Sequence, residues 1–213
     1  SLRLSPGSAT SICNACSGTS LPPALSSLSR LSPSSGFSGL SSVTDYNSAA
    51  QYIFDGKAGP TGRPLALATF ALQADSWNES ARPFLAVNIL IHLVNGVLAY
   101  LLFFQLARSS GARKETVASI ALGGMALWMV MPLLATSSLM VVQRMTTLAA
   151  LWMLLGMNGY LYWRNKLGQK PTTALIGMSL SLILASVFAV LSKENGALLP
   201  TLVLVIEACL LPN

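Results

Sequence analysis

Residues 138–162 read SLMVVQRMTTLAALWMLLGMNGYLY, an apolar run long enough to cross a bilayer. The run carries an arginine, Arg144, just inside its N-terminal edge. A cation there is costly unless it sits at the interface or meets an anionic partner, so this position marks a candidate functional site. At the other end Tyr160, Tyr162 and Trp163 form an aromatic border, and Arg164, Lys166 and Lys170 follow.

The flanking sequence has the same character. Phe84 to Ala107 is a long apolar segment and a predicted span, in which Asn88, His92 and Asn95 fall on one helical face. That face fits interhelical hydrogen bonding, and it fits the lining of a polar cavity. Val117 to about Ala135 reads as a second span, broken near its end by Pro132, with Gly123 and Gly124 offering close helix approach. After the opening stretch, Thr173 to Leu191 reads as a fourth span, and Ala197 to Leu211 as a fifth apolar run that is short for a crossing.

The composition agrees with a membrane protein. Apolar residues make up 53% of the chain and charged residues 9%, far below the roughly one quarter charged of soluble domains. The net charge of +6 is scattered as single cations and pairs between apolar spans, so loop charges that set membrane orientation explain it better than nucleic acid, which is not expected as a partner. A lone Cys13-x-x-Cys16 with no second pair says little about metal or redox chemistry.

Three regions follow. Residues 1–42 are Ser-rich, with Pro and Gly interspersed, and read as disordered or spurious. Residues 43–83 form an extracytoplasmic loop in which Gly56, Gly59, Pro60 and Gly62 mark a turn and Pro64 opens a short helix, LALATFALQ, too short to span. Residues 84–213 form the bundle, which reads as truncated at its C-terminus. The predicted fold is therefore an all-α, polytopic transmembrane helix bundle of four to five spans with a short extracytoplasmic interfacial helix.

The loops after the first and third predicted spans hold Arg108, Arg113, Lys114, Arg164, Lys166 and Lys170, and the positive-inside rule places them in the cytoplasm. Asp45, Asp55, Arg63, Asp75, Glu79, Arg144, Lys193 and Glu194 then fall on the opposite side. A shared extracytoplasmic rim lets residues far apart in sequence converge on a polar pocket. The same charges also fit ordinary interfacial residues that snorkel outward.

Four short motifs stand in a fixed order: RPL at Arg63, N-x-x-x-H-x-x-N from Asn88 to Asn95, P-x(11)-R from Pro132 to Arg144, and SKE-x-G from Ser192 to Gly196. Over about Thr44 to Leu211 the chain resembles bacterial GT-C-type membrane glycosyltransferases, akin to protein O-mannosyltransferases and tetratricopeptide-repeat O-mannosyltransferases. It departs from that pattern at Met131, where relatives tend to carry a histidine before the proline, and in lacking a spanning helix with paired acids ahead of Val43.

The resemblance implies sugar transfer from a polyprenyl-phosphate donor to an acceptor hydroxyl on an exported protein or glycan, at the outer face of a bacterial inner membrane. It makes Arg144 a phosphate ligand, with Arg63 and Lys193 as secondary ligands of the same charge. Glu194 would orient a cation or a sugar hydroxyl, and His92 with Asn88 would hold the loop helix against the bundle. Asp45 is the nearest acid to the place where relatives carry the catalytic carboxylate. No cofactor is implied with certainty, and a divalent metal stays open because no ligand cluster is visible. Two other functions compete: a non-catalytic membrane scaffold subunit, and a transporter module.

Overall fold

The computed structural model describes residues 40, 43, 45–55, 62–74 and 82–210. The expected disorder before Val43, the Cys13 and Cys16 pair, Asp75 and Glu79 lie outside these residues, apart from Leu40, which is buried. Every described element is a helix. In chain order these are α1 (Tyr46–Asp55), α2 (Pro64–Ala71), α3 (Arg82–Ser109), α4 (Lys114–Val130), α5 (Pro132–Leu139), α6 (Arg144–Arg164), α7 (Pro171–Ser192) and α8 (Leu199–Leu210). Two 3₁₀ turns, Val141–Gln143 and Glu194–Leu198, precede α6 and α8.

Local chemistry accounts for several boundaries. Pro64 stands at the first turn of α2, where a missing N–H costs nothing and the fixed φ suits a helix. At the end of α3 the chain turns through Gly111 in the left-handed region (φ 78°), and the Ala112 N–H closes the helix by donating to the Ala107 carbonyl at 3.2 Å. Met131 takes an extended ψ of 120° because the ring of Pro132 disfavours helix in the residue before it. The outcome is a 56° bend between α4 and α5.

Two helices, α3 and α7, are long and apolar enough to cross a membrane, and the bent pair α4 and α5 makes a third if it counts as one crossing. This corrects the expected four to five spans. The stretch 138–162 is not one continuous helix either. Leu139 closes α5, Met140 is extended (φ −101°, ψ 122°), and α6 starts only at Arg144. The break has a structural partner, since the Met140 carbonyl accepts the Asn88 amide at 3.0 Å. Within α6, Arg144, Thr146 and Asn158 are spent on neighbouring helices and Thr147 on the carbonyl of Arg144 in its own helix, so this helix, less apolar than α3 or α7, does not give these side chains to lipid. The fifth apolar run is described as a helix of 12 residues, about 18 Å long at the usual rise.

Side-chain pairs give the topology. Asn95 donates to Thr147 O at 2.9 Å and Gln105 to Asn158 at 2.8 Å, so α3 and α6 run in the same direction. Trp152 stacks on Phe188 and Gly159 meets Ser181, so α6 and α7 run antiparallel. His92 stacks on Trp128 and Phe103 lies over Gly124, which makes α3 and α4 antiparallel. Small residues allow the closest approach, as expected of helices packed without a hydrophobic driving force between them. A Cβ on Gly156 would lie 2.5 Å from the Ala185 Cβ.

The buried core where α3, α6, α7 and α8 meet comprises Ala99, Leu102, Leu154, Met157, Leu161, Ala185, Leu199 and Val203. Outside it the apolar surface is extensive. Only 17% of the most apolar window of α7 is buried against protein, so the greater part of that helix is left for lipid.

Candidate functional site

The starts of α3 and α6, the ends of α4 and α7, and all of α2 and α5 gather at one end of the bundle. Arg144, the first residue of α6, is fully buried there. Its Nε donates to Asn88 Oδ1 at 2.7 Å, its Nη1 to the Thr69 carbonyl at 3.2 Å and its Nη2 to the Phe84 carbonyl at 2.9 Å. The guanidinium carbon also lies 4.5 Å from the centroid of Phe70 and 5.5 Å from that of Phe84.

A buried cation must replace the water it has lost, and here carbonyl dipoles and ring faces do so. Thr69 belongs to the last turn of α2, whose exposed carbonyls favour a positive charge. Arg144 thereby fastens α2 to α3 and α6. It stands behind the rim, with no exposed surface.

The other expected site residues divide clearly. Arg63 is 22% exposed and pairs bidentately with Glu194: Nη2 to Oε2 at 2.9 Å, and Nε and Nη2 to Oε1 at 3.2 and 3.1 Å. Arg63 adopts a left-handed backbone (φ 50°, ψ 53°) directly after Gly62 at φ 70°. That conformation is strained for a residue with a Cβ and persists only where the surroundings hold it. Lys193 ends α7 in an extended conformation and donates from Nζ to Thr146 Oγ1 at 2.8 Å. Gly196 then allows the 3₁₀ turn to fold onto Ala189, because any side chain there would strike the α7 backbone.

Asn88 and His92 are buried in the bundle. Asn88 bridges Arg144 and Met140, whereas the His92 ring faces the Met129 carbonyl at 3.4 Å and stacks on Trp128. With Asn95 on Thr147 O, this polar face serves interhelical bonding. Asp45 is exposed ahead of α1; its N–H donates to Ser48 Oγ, whose hydroxyl in turn donates to the Asp45 carbonyl. It does not line the cleft.

That cleft, of about 400 Å³, opens between α2, α5, α6 and the end of α7. Leu133, Leu134 and Val142 give it an apolar wall, and Arg63, Thr146, Lys193 and Asn195 a polar one. Sequence reasoning missed Thr146, Asn195 and the α5 leucines. A threonine in an apolar helix and two leucines after a proline carry no distinctive signal; only the convergence of α5 on α6 reveals them. Among the described residues, no cluster of three or more His, Cys, Asp or Glu side chains is gathered that would hold a metal ion.

Comparison with known proteins gives no match to a family model, none to the curated proteins and none to the solved structures.

Proposed function

We propose that the chain is the membrane part of a glycosyltransferase that moves a sugar from a polyprenyl-phosphate donor to a hydroxyl of an exported protein or glycan. The observation that carries this reading is the two-sided cleft. An apolar wall stands beside two cations at the end of helices apolar enough to cross a bilayer. A lipid phosphate has matching parts: its chain stays among apolar helices while its charge sits at the interface. Arg63 and Lys193 meet the phosphate, Glu194 orients Arg63, and Arg144 with Asn88 positions the rim without touching the donor.

In the transfer step the acceptor oxygen attacks the anomeric carbon as the bond from that carbon to the phosphate oxygen breaks. The bonding pair leaves with the polyprenyl phosphate, whose growing charge Arg63 and Lys193 neutralise. The hydroxyl proton passes to a base from outside the cleft, since Asp45 does not line it. The positive-inside distribution supports an extracytoplasmic cleft, and a bacterial inner membrane is what the family resemblance implies.

The test is transfer of labelled sugar from a polyprenyl-phosphate donor in membranes that contain the full chain. The expected result is incorporation that Arg63→Ala and Lys193→Ala each lower by about tenfold or more, the loss expected for a charge-assisted contact. No incorporation above membranes lacking the chain would sink the catalytic reading. It would favour a membrane scaffold, which has one observation behind it: no Asp or Glu lines the cleft among the described residues.

A further inference from the structure

The end of the bundle away from the cleft carries a second organised surface. The turn from α3 to α4 and the turn from α6 to α7 meet there, with Ser109 Oγ lying 3.5 Å from Asn165 Oδ1. Each turn is basic: Arg108, Arg113 and Lys114 in the first, Arg164, Lys166 and Lys170 in the second. Among the described residues, the carboxylates at this end are Glu115, exposed beside Lys114, and Glu207 on α8.

These charges are not equivalent. Glu207 takes up Arg164, with Nη2 to Oε1 at 2.7 Å and Nε to Oε2 at 2.9 Å, and also accepts the Tyr160 hydroxyl at 3.2 Å. Lys166 folds back over the rings of Tyr162 and Trp163, 4.1 and 5.3 Å from their centroids. Arg108, Arg113, Lys114 and Lys170 remain exposed, and among the described residues no ion pair takes their charge. Three α-helices of the bundle core end at this level: the apolar spans α3 and α7, and α6 between them with its aromatic border. Four exposed cations therefore stand where a bilayer has its headgroups, with Tyr162 and Trp163 marking the depth.

We propose that this paired-turn surface binds anionic phospholipid headgroups, with Arg108, Arg113, Lys114 and Lys170 as the contacts. Glu207 keeps Arg164 for the protein, and Lys166 caps the aromatic border, so neither is needed for lipid. A zwitterionic headgroup brings a compensating cation that this surface repels, so selectivity for net negative lipid follows from charge alone. The inference is independent of the cleft and of any sugar chemistry.

The test uses the purified full chain in mild detergent, titrated with phosphatidylglycerol or phosphatidylcholine of identical acyl chains and read by native mass spectrometry. The chain is expected to retain phosphatidylglycerol over phosphatidylcholine by at least about fivefold, with the preference shrinking as ionic strength rises. The combined variant Arg108→Gln, Arg113→Gln, Lys114→Gln and Lys170→Gln is expected to remove the preference with helix content by circular dichroism unchanged. The variant Arg63→Gln with Lys193→Gln is expected to keep it. Equal retention of both lipids by the unaltered chain would overturn the proposal. So would loss of the preference in the Arg63 and Lys193 variant alone, which would place the lipid at the cleft.

Discussion

At the scale of single residues, the chemistry of the rim rests on two arginines used in opposite ways. Arg144 gives three nitrogens to protein acceptors and has no exposed surface, whereas Arg63 is shared between Glu194 and the cleft. Asn88→Ala removes the acceptor from Arg144 Nε inside the bundle, and leaving that donor unpaired costs about 1–3 kcal/mol. A correspondingly lower melting temperature in detergent, with the fold retained, checks it. Arg144→Lys is expected to cost a similar amount, because one ammonium cannot reach Asn88, Thr69 and Phe84 in the planar fork that the guanidinium provides. An unshifted melting temperature in both variants would contradict the fastening role.

These residues also mark how far the sequence could be read. Arg63, Lys193 and Glu194 stand at one end because apolar segments alternate with charged turns, and that alternation is visible in the chain itself. Which charge meets which is not visible. Lys193 and Glu194 adjoin in sequence and part in space, one going to Thr146 and the other to Arg63 across 131 positions. Likewise, whether Arg144 faces a ligand or the interior depends on α2, whose carbonyls supply part of its shell.

At the scale of elements, α6 departs most from expectation. Hydropathy alone carries a single helix through Ser138 and Met140. The break arises from a tertiary contact, since Asn88 captures the carbonyl of Met140, and no local pattern announces such a contact. The pairing of α6 with α7 depends on Gly156 and Gly159, which lie against Ala185 and Ser181. Gly159→Leu is expected to force the two helices apart at a cost of about 1–3 kcal/mol, seen as a lowered melting temperature. Gly123→Leu, whose position faces open space, serves as the matched control and is expected to leave stability nearly unchanged.

At the scale of the whole molecule, one end of the bundle holds the cleft and the other a basic surface, and the membrane reading puts them on opposite sides of the bilayer. In a background with the native cysteines changed to serine, Asn195→Cys is expected to react with a membrane-impermeant maleimide applied from outside the cell. Ser110→Cys is expected to react only after the membrane is opened. Labelling in the reverse order would invert the orientation and place the cleft in the cytoplasm. The number of spans was less legible than their existence, because α6 is long but spends its polar side chains on other helices.

The most direct measurement is photo-crosslinking of the full chain in membranes with a polyprenyl-phosphate probe bearing a diazirine near the phosphate, followed by peptide mapping. Crosslinks are expected in 133–146 and around Lys193, and they should be lost in the Arg63→Ala, Lys193→Ala double variant. Crosslinks confined to the outer apolar face of α7, at Leu175 to Ile183, and unaffected by that variant, would contradict a phosphate-binding cleft.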